Sequence, residues 1–103
     1  MSVAILCRAI RTRNLVRFYY NGDKVPGERI VEPHLVAYTA ADNLALSAWF
    51  LRGSSESQQT QRWREYLISE MTSVVSLSEQ FAGPRPGYNP SGGKKLHNVQ
   101  CAL

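Results

Sequence analysis

Arg29, Arg62 and Arg64, set among Tyr20, Trp49, Trp63 and Tyr66, are the residues of this chain with the most chemistry to offer. Guanidinium forks hold phosphate oxygens and flat aromatic faces stack on bases, the combination used by small barrels that grip single-stranded nucleic acid. An ordinary alternative is equally physical, since strand aromatics fill cores and arginine stems lie over them with their heads in water. His34, next to Pro33, adds a group that both donates and accepts hydrogen bonds near neutral pH. A neighbouring carbonyl satisfies such a histidine as readily as a ligand does, and neither His34 nor His97 has a metal-ligand partner at useful spacing.

Patterns that would signal catalysis fall short. The glycines and lysines of Gly83–Lys95 lack the Gly-x-x-x-x-Gly-Lys-Ser/Thr spacing and the strand-to-helix setting of a phosphate loop. Cys7 falls on an apolar helix face, away from any base, and the only aspartates, Asp23 and Asp42, lie in turns with no nucleophile elbow nearby. The expectation is a non-enzyme with no cofactor, no metal and no catalytic residues.

The elements that must position these side chains can be read from periodicity. Val3, Leu6, Cys7 and Ile10 follow helical spacing after Ser2, a good cap, and Asn14 is expected to end this short amphipathic helix. Alternation then places Val16, Phe18 and Tyr20 on one face of a strand and Leu15, Arg17 and Tyr19 on the other. After the Asn21-Gly22 turn, Glu28 to Tyr38 reads as one extended path bent at Pro33, which cannot donate to a central ladder. Leu44 to Leu51 is an apolar strand, Arg52 to Thr60 a polar hairpin loop, Gln61 to Ile68 a returning strand, and Ser73 to Leu77 a short strand entered through a single helical turn. Phe81 to Lys95, rich in proline and glycine, is expected to be an irregular arm without a core of its own. Val99, Cys101 and Leu103 alternate with polar or small residues in a final strand, which would return to its own sheet edge or join a second copy; the dimer is favoured.

A helix followed by five or six short strands joined by close turns predicts a mainly β fold, a small, strongly bent antiparallel barrel of the Sm-like or SH3-like type. At 103 residues there is room for one core. Residues 1–82 are assigned to the barrel with its helix and 83–103 to a C-terminal arm and edge strand. No apolar run approaches a membrane span, and Arg8 and Arg11 interrupt the only stretch that resembles a secretory signal, so the expected setting is the cytoplasm, with no membrane partner. Cys7 and Cys101 could meet, but two thiols make a thin framework, and free thiols are expected. The net charge of +4 is concentrated at the two ends, where Arg8, Arg11, Arg13 and Arg17, then Arg85, Lys94 and Lys95, stand without acids. Segregated positive charge attracts polyanions and excludes little else.

Taken in order, Phe18 and Tyr20, Arg29, Glu32-Pro33-His34, the strand at 44–49 and Trp63-Arg64 resemble the pattern of WYL domains. The resemblance covers about residues 5–90, and the stretch Phe81 to Asn89 is similar to the tail of short, free-standing relatives. It departs at the naming triplet, where Leu44-Ala45-Leu46 stands and Trp49 follows later. It departs again where Leu67, Ser69 and Glu70 replace the family's Arg, Asp and Arg. The resemblance implies an Sm-like barrel that senses ligands or nucleic acid, in transcriptional regulators or phage defence, here without a helix-turn-helix. The ligand-binding residues expected from these readings are Tyr20, Arg29, His34, Trp49, Arg62, Arg64 and Tyr66, serving nucleic acid or a nucleotide-like anion. The alternative is a protein-interaction or oligomerisation module that associates with a regulator or with itself.

Overall fold

The helical spacing near the N-terminus is realised as α1, Ser2–Thr12, in a computed structural model that describes residues 2–54 and 62–103. Leu6, Ala9 and Ile10 are buried, with Val3 and Cys7 packed against the same core, so the apolar stripe faces inward as its period requires. The helix ends one residue earlier than expected. Arg13, not Asn14, takes the left-handed backbone (φ 58°), and its guanidinium is held by the Ala82 carbonyl. Asn14 opens the first strand because its amide is committed to the Leu77 carbonyl across the sheet.

The strands are β1 (Asn14–Tyr20), β2 (Gly27–Thr39), β3 (Leu44–Gly53), β4 (Arg62–Leu67), β5 (Met71–Gln80) and β6 (Leu96–Ala102). A single 3-10 turn, Ile68–Glu70, joins β4 to β5. They form one antiparallel sheet in the order β4-β3-β2-β1-β5, with β6 also on β2. The long β2 organises the fold. β3 covers one of its edges from Arg29 to Tyr38, while the other edge is shared, β1 pairing with Gly27–Val31 and β6 with Leu35–Thr39. One strand can serve two such partners only if it bends, and the β2–β3 register shifts between Pro33 and Leu35, at the predicted bend. The result is a strongly curled, barrel-like sheet, with α1 packed on β1, β2, β5 and β6.

Val16, Phe18 and Tyr20 point into the core as their alternation predicted, joined by Val31, Val36, Leu46, Phe50 and Tyr66. Leu15 is buried as well, where the β1–β5 register shifts. β5 runs longer than its predicted Ser73–Leu77 core, and the predicted hairpin loop after Arg52 lies largely outside the described residues. Phe81 to Lys95 has no helix or strand, as expected, yet it is not detached: Phe81 is buried, and Tyr88 packs with Leu35, Ala37 and Leu96 in a second small cluster. Of the two routes open to the last segment, the structure takes the intrachain one, with β6 on β2 of the same molecule.

The expectation of free thiols is overturned. Cys7 and Cys101 are joined in a disulfide with their Cα atoms 5.7 Å apart, linking positions 94 residues apart. The helix stripe carries Cys7 inward and the pairing of Cys101 with Val36 brings β6 beneath α1, a meeting that depends on tertiary register and is invisible to spacing.

Candidate functional site

Four of the seven predicted residues converge. Tyr20 ends β1, Arg29 lies near the start of β2, and Arg64 and Tyr66 share one face of β4 because they are two residues apart. Close passage of β3 over β2 at this point requires Gly53 (φ 129°), since a Cβ there would sit 2.2 Å from the Glu28 carbonyl oxygen. Arg29 is fully buried and donates from Nη2 to the Val25 carbonyl at 2.7 Å. Asp23, in the β1–β2 loop, bridges the two guanidinia: its Oδ2 is 2.5 Å from Arg64 Nη2 and 3.5 Å from Arg29 Nη2. The rings of Tyr20 and Tyr66 meet edge to face at 4.9 Å, with Arg29 5.8 Å from the Tyr20 ring and Arg64 5.6 Å from the Tyr66 ring.

The electrostatics follow from burial and from the excess of guanidinium over carboxylate. Burial pushes the Tyr66 hydroxyl up to about 12, so it is a neutral donor. Burial also raises Tyr20, whose hydroxyl accepts from the Leu67 N–H at 3.0 Å. Burial alone would raise Asp23, but the hydrogen bond and charge of Arg64 outweigh it and hold the carboxyl below its usual range. Two donors in this cluster, Arg29 Nε and the Tyr66 hydroxyl, are buried with no hydrogen-bond partner among the described residues. Such groups cost about 1–3 kcal/mol each when left unsatisfied, which marks the cluster as a place where acceptor oxygens would be welcome.

His34 and Trp49 belong to a different constellation: Trp49 pairs with Glu32 just before the bend in β2, and His34 stands at the bend itself. The His34 ring is buried among Trp63 (4.7 Å), Phe81 (5.4 Å) and Tyr88 (5.2 Å). Arg85 N–H can only donate, so His34 Nε2, 3.1 Å away, accepts, and the proton sits on Nδ1, which donates to the Glu32 carbonyl at 2.8 Å. Burial holds this imidazole below its ordinary range, and it is neutral. The Glu32 carboxylate, nearly buried, takes a two-pronged ion pair from Arg85 with both contacts at 2.8 Å. Trp49 lies 5.1 Å beneath the Arg85 guanidinium and edge-on to Trp63 at 5.7 Å. The predicted histidine site is thus occupied by the protein's own arm.

Arg62, the remaining predicted residue, opens β4 opposite Phe50, on the same strand face as Arg64. Sequence reasoning passed over Asp23, Glu32 and Arg85 as site residues. A single acid in the short loop between Tyr20 and Arg29 was a usable signal for the first; nothing local announces the Glu32–Arg85 pair. Beside the arm runs an open trough of about 620 Å³ bounded by Trp63, Tyr88, Lys94 and Lys95, among others. No set of His, Cys, Asp or Glu among the described residues could hold a metal ion, and no helix there is long and apolar enough to cross a membrane.

A curled six-stranded antiparallel sheet with an N-terminal helix defines a small barrel-like module that carries an incompletely satisfied basic–aromatic cluster. The family model of the WYL domain matches residues 2–76, and the chain belongs to that family. WYL domains are ligand-sensing, regulatory modules, generally non-catalytic, that typically associate with nucleic acids or regulators. No curated protein and no solved structure matches the chain. The guanidinium cluster lies wholly within the matched residues, whereas Phe81, Arg85, Tyr88 and β6 lie beyond them.

Proposed function

We propose that this protein is a non-catalytic sensor or accessory module that binds nucleic acid or a nucleotide-like anion, seating phosphate oxygens between Arg29 and Arg64. The observation that carries this reading is the pair of buried, unpartnered donors, Arg29 Nε and the Tyr66 hydroxyl, beside two guanidinia that share one carboxylate. A structural ion pair has no use for spare donors; an oxyanion site does. Trp63, Tyr88, Lys94 and Lys95 along the trough offer stacking faces and positive charge for the remainder of a larger ligand. In this reading residues 83–103 act as an arm that holds the barrel's aromatic side closed. Transcriptional regulation and phage defence are settings that suit such a module. In the cytoplasm the Cys7–Cys101 bond would answer to the thiol poise of that compartment.

Single-stranded RNA and DNA should bind with affinity that falls steeply between two salt concentrations, because each phosphate contact releases counterions. Arg64→Gln should weaken binding by about tenfold or more, the worth of one charge-assisted hydrogen bond. Absence of binding, or binding indifferent to salt, would favour the protein-interaction module instead.

A further inference from the structure

The seat between the guanidinia is already filled by an anion that belongs to the protein. Arg29 and Arg64 both address the same atom, Asp23 Oδ2. The other oxygen, Oδ1, accepts from the Lys24 N–H at 3.2 Å, and neither oxygen makes a hydrogen bond to Arg29 Nε or the Tyr66 hydroxyl, which both stay unpartnered. A flat two-oxygen group is therefore a poor fit to a four-donor site. The carboxylate is also the most exposed member of the cluster. Tyr20, Arg29, Arg64 and Tyr66 all stand on strands, whereas Asp23 comes from the connecting residues 21–26 and its side chain is 21% exposed.

We propose that Asp23 is a resident competitor: it mimics the ligand in the empty protein and is displaced when a terminal phosphate group enters. This rests on the anion-binding reading above. A phosphomonoester presents three oxygens in a tetrahedron, enough to engage Arg29 Nε and the Tyr66 hydroxyl along with both guanidinium ends. A site whose walls, Arg29 and Tyr66, are fully buried admits the end of a chain or a free nucleotide more readily than the middle of a strand. Ligand entry must then move the Asp23 carboxylate out, and with it the surrounding 21–26 segment, which gives the module a built-in signal that the site is occupied.

The test uses the full chain with its disulfide intact and three probes: an oligonucleotide with a terminal phosphate, the same oligonucleotide with a terminal hydroxyl, and a nucleoside monophosphate. Asp23→Asn should tighten binding of the phosphorylated oligonucleotide by about tenfold, because the competing charge is gone. Asp42→Asn, which removes an equal charge from an exposed turn where Asp42 pairs with His97, controls for net charge and should change it by less than about twofold. The hydroxyl-terminated probe should respond equally to both substitutions. Amide exchange of residues 21–26 in the unmodified protein should quicken on adding the phosphorylated probe, a readout independent of any variant. If Asp23→Asn binds no tighter than Asp42→Asn, or if exchange in the loop slows, the displacement is wrong while anion binding stands. Failure of all three probes with both proteins would instead overturn the anion-binding reading itself. Binding of the monophosphate as tightly as the oligonucleotide would identify a free nucleotide as the source of the phosphate, and the reverse would identify a strand end.

Discussion

Around His34 both ring nitrogens and the neighbouring carboxylate have found partners, whereas around Arg29 two buried donors remain without them. Both regions are built from arginine, an acid and a group of aromatic rings, and both draw on β2, one near its start and the other at its bend. The difference lies in who supplies the last partner. At His34 the C-terminal arm brings Arg85, Phe81 and Tyr88, and the Leu103 N–H reaches the His34 carbonyl at 2.8 Å. At Arg29 the Val25 carbonyl and the Asp23 carboxylate arrive, and they leave Arg29 Nε and the Tyr66 hydroxyl unused. Trp49 Nε1, also buried without a partner, is the exception on the His34 side, and its ring is at least covered by Arg85. A satisfied cluster adds rigidity; an unsatisfied one holds interaction energy in reserve for something else. The same residue types therefore end partnered, Trp49 apart, in one place and incompletely partnered in the other.

Three variants would sharpen or break that contrast. The largest effect on stability is expected from the Cys7→Ala, Cys101→Ala double variant, which reopens a loop spanning 94 residues and should cost about 4 kcal/mol in a denaturant titration. The loss should fall on the arm and β6, and because Tyr88, Lys94 and Lys95 line the trough, oligonucleotide affinity of the folded protein should fall while that of a nucleoside monophosphate stays unchanged; a parallel loss for the monophosphate would show that the two regions are not independent. Next comes Arg85→Ala, which leaves the Glu32 carboxylate buried and unpaired. The expected cost is about 2–3 kcal/mol, below that of a fully buried pair because Arg85 is partly open to water. Urea unfolding would measure it, and a change under about 0.5 kcal/mol would mean that the pair is ornamental. The smallest effect on stability belongs to Tyr66→Phe: removing a hydroxyl that has no partner should leave unfolding within about 1 kcal/mol of the parent, or raise stability slightly. Its anion affinity should drop all the same. A strongly destabilised Tyr66→Phe protein would show that the hydroxyl is engaged, and the contrast would collapse.

Much of this organisation was legible in the sequence wherever a local period governed the outcome. Helical spacing put Leu6 and Ile10 in the core, strand alternation put Phe18 and Tyr20 there, and Pro33 marked the bend in β2. The same alternation puts Arg64 and Tyr66 on one strand face, the part of the cluster that a local period can place. Strand alternation sets Trp49 apart from it, since Trp49 and its partner Glu32 lie on the strand face opposite Phe50 and Val31, while His34 stands at the bend itself, beside the arm. What stayed hidden depends on partners far along the chain: Arg64 on Asp23, Arg85 on Glu32 and His34, Cys7 on Cys101. An arm rich in proline and glycine has no period to read, and its place is set by aromatic rings and hydrogen bonds that only the folded barrel assembles.

The bond between Cys7 and Cys101 also has a mechanical meaning. It closes the backbone into a covalent ring that contains every strand up to its own position in β6. Tension applied at the two chain ends crosses from the helix to the last strand through sulfur and bypasses the hydrogen-bonded ladders between them. The domain would thus transmit a pull without extending, and only after reduction would the same force begin to peel β6 away from β2.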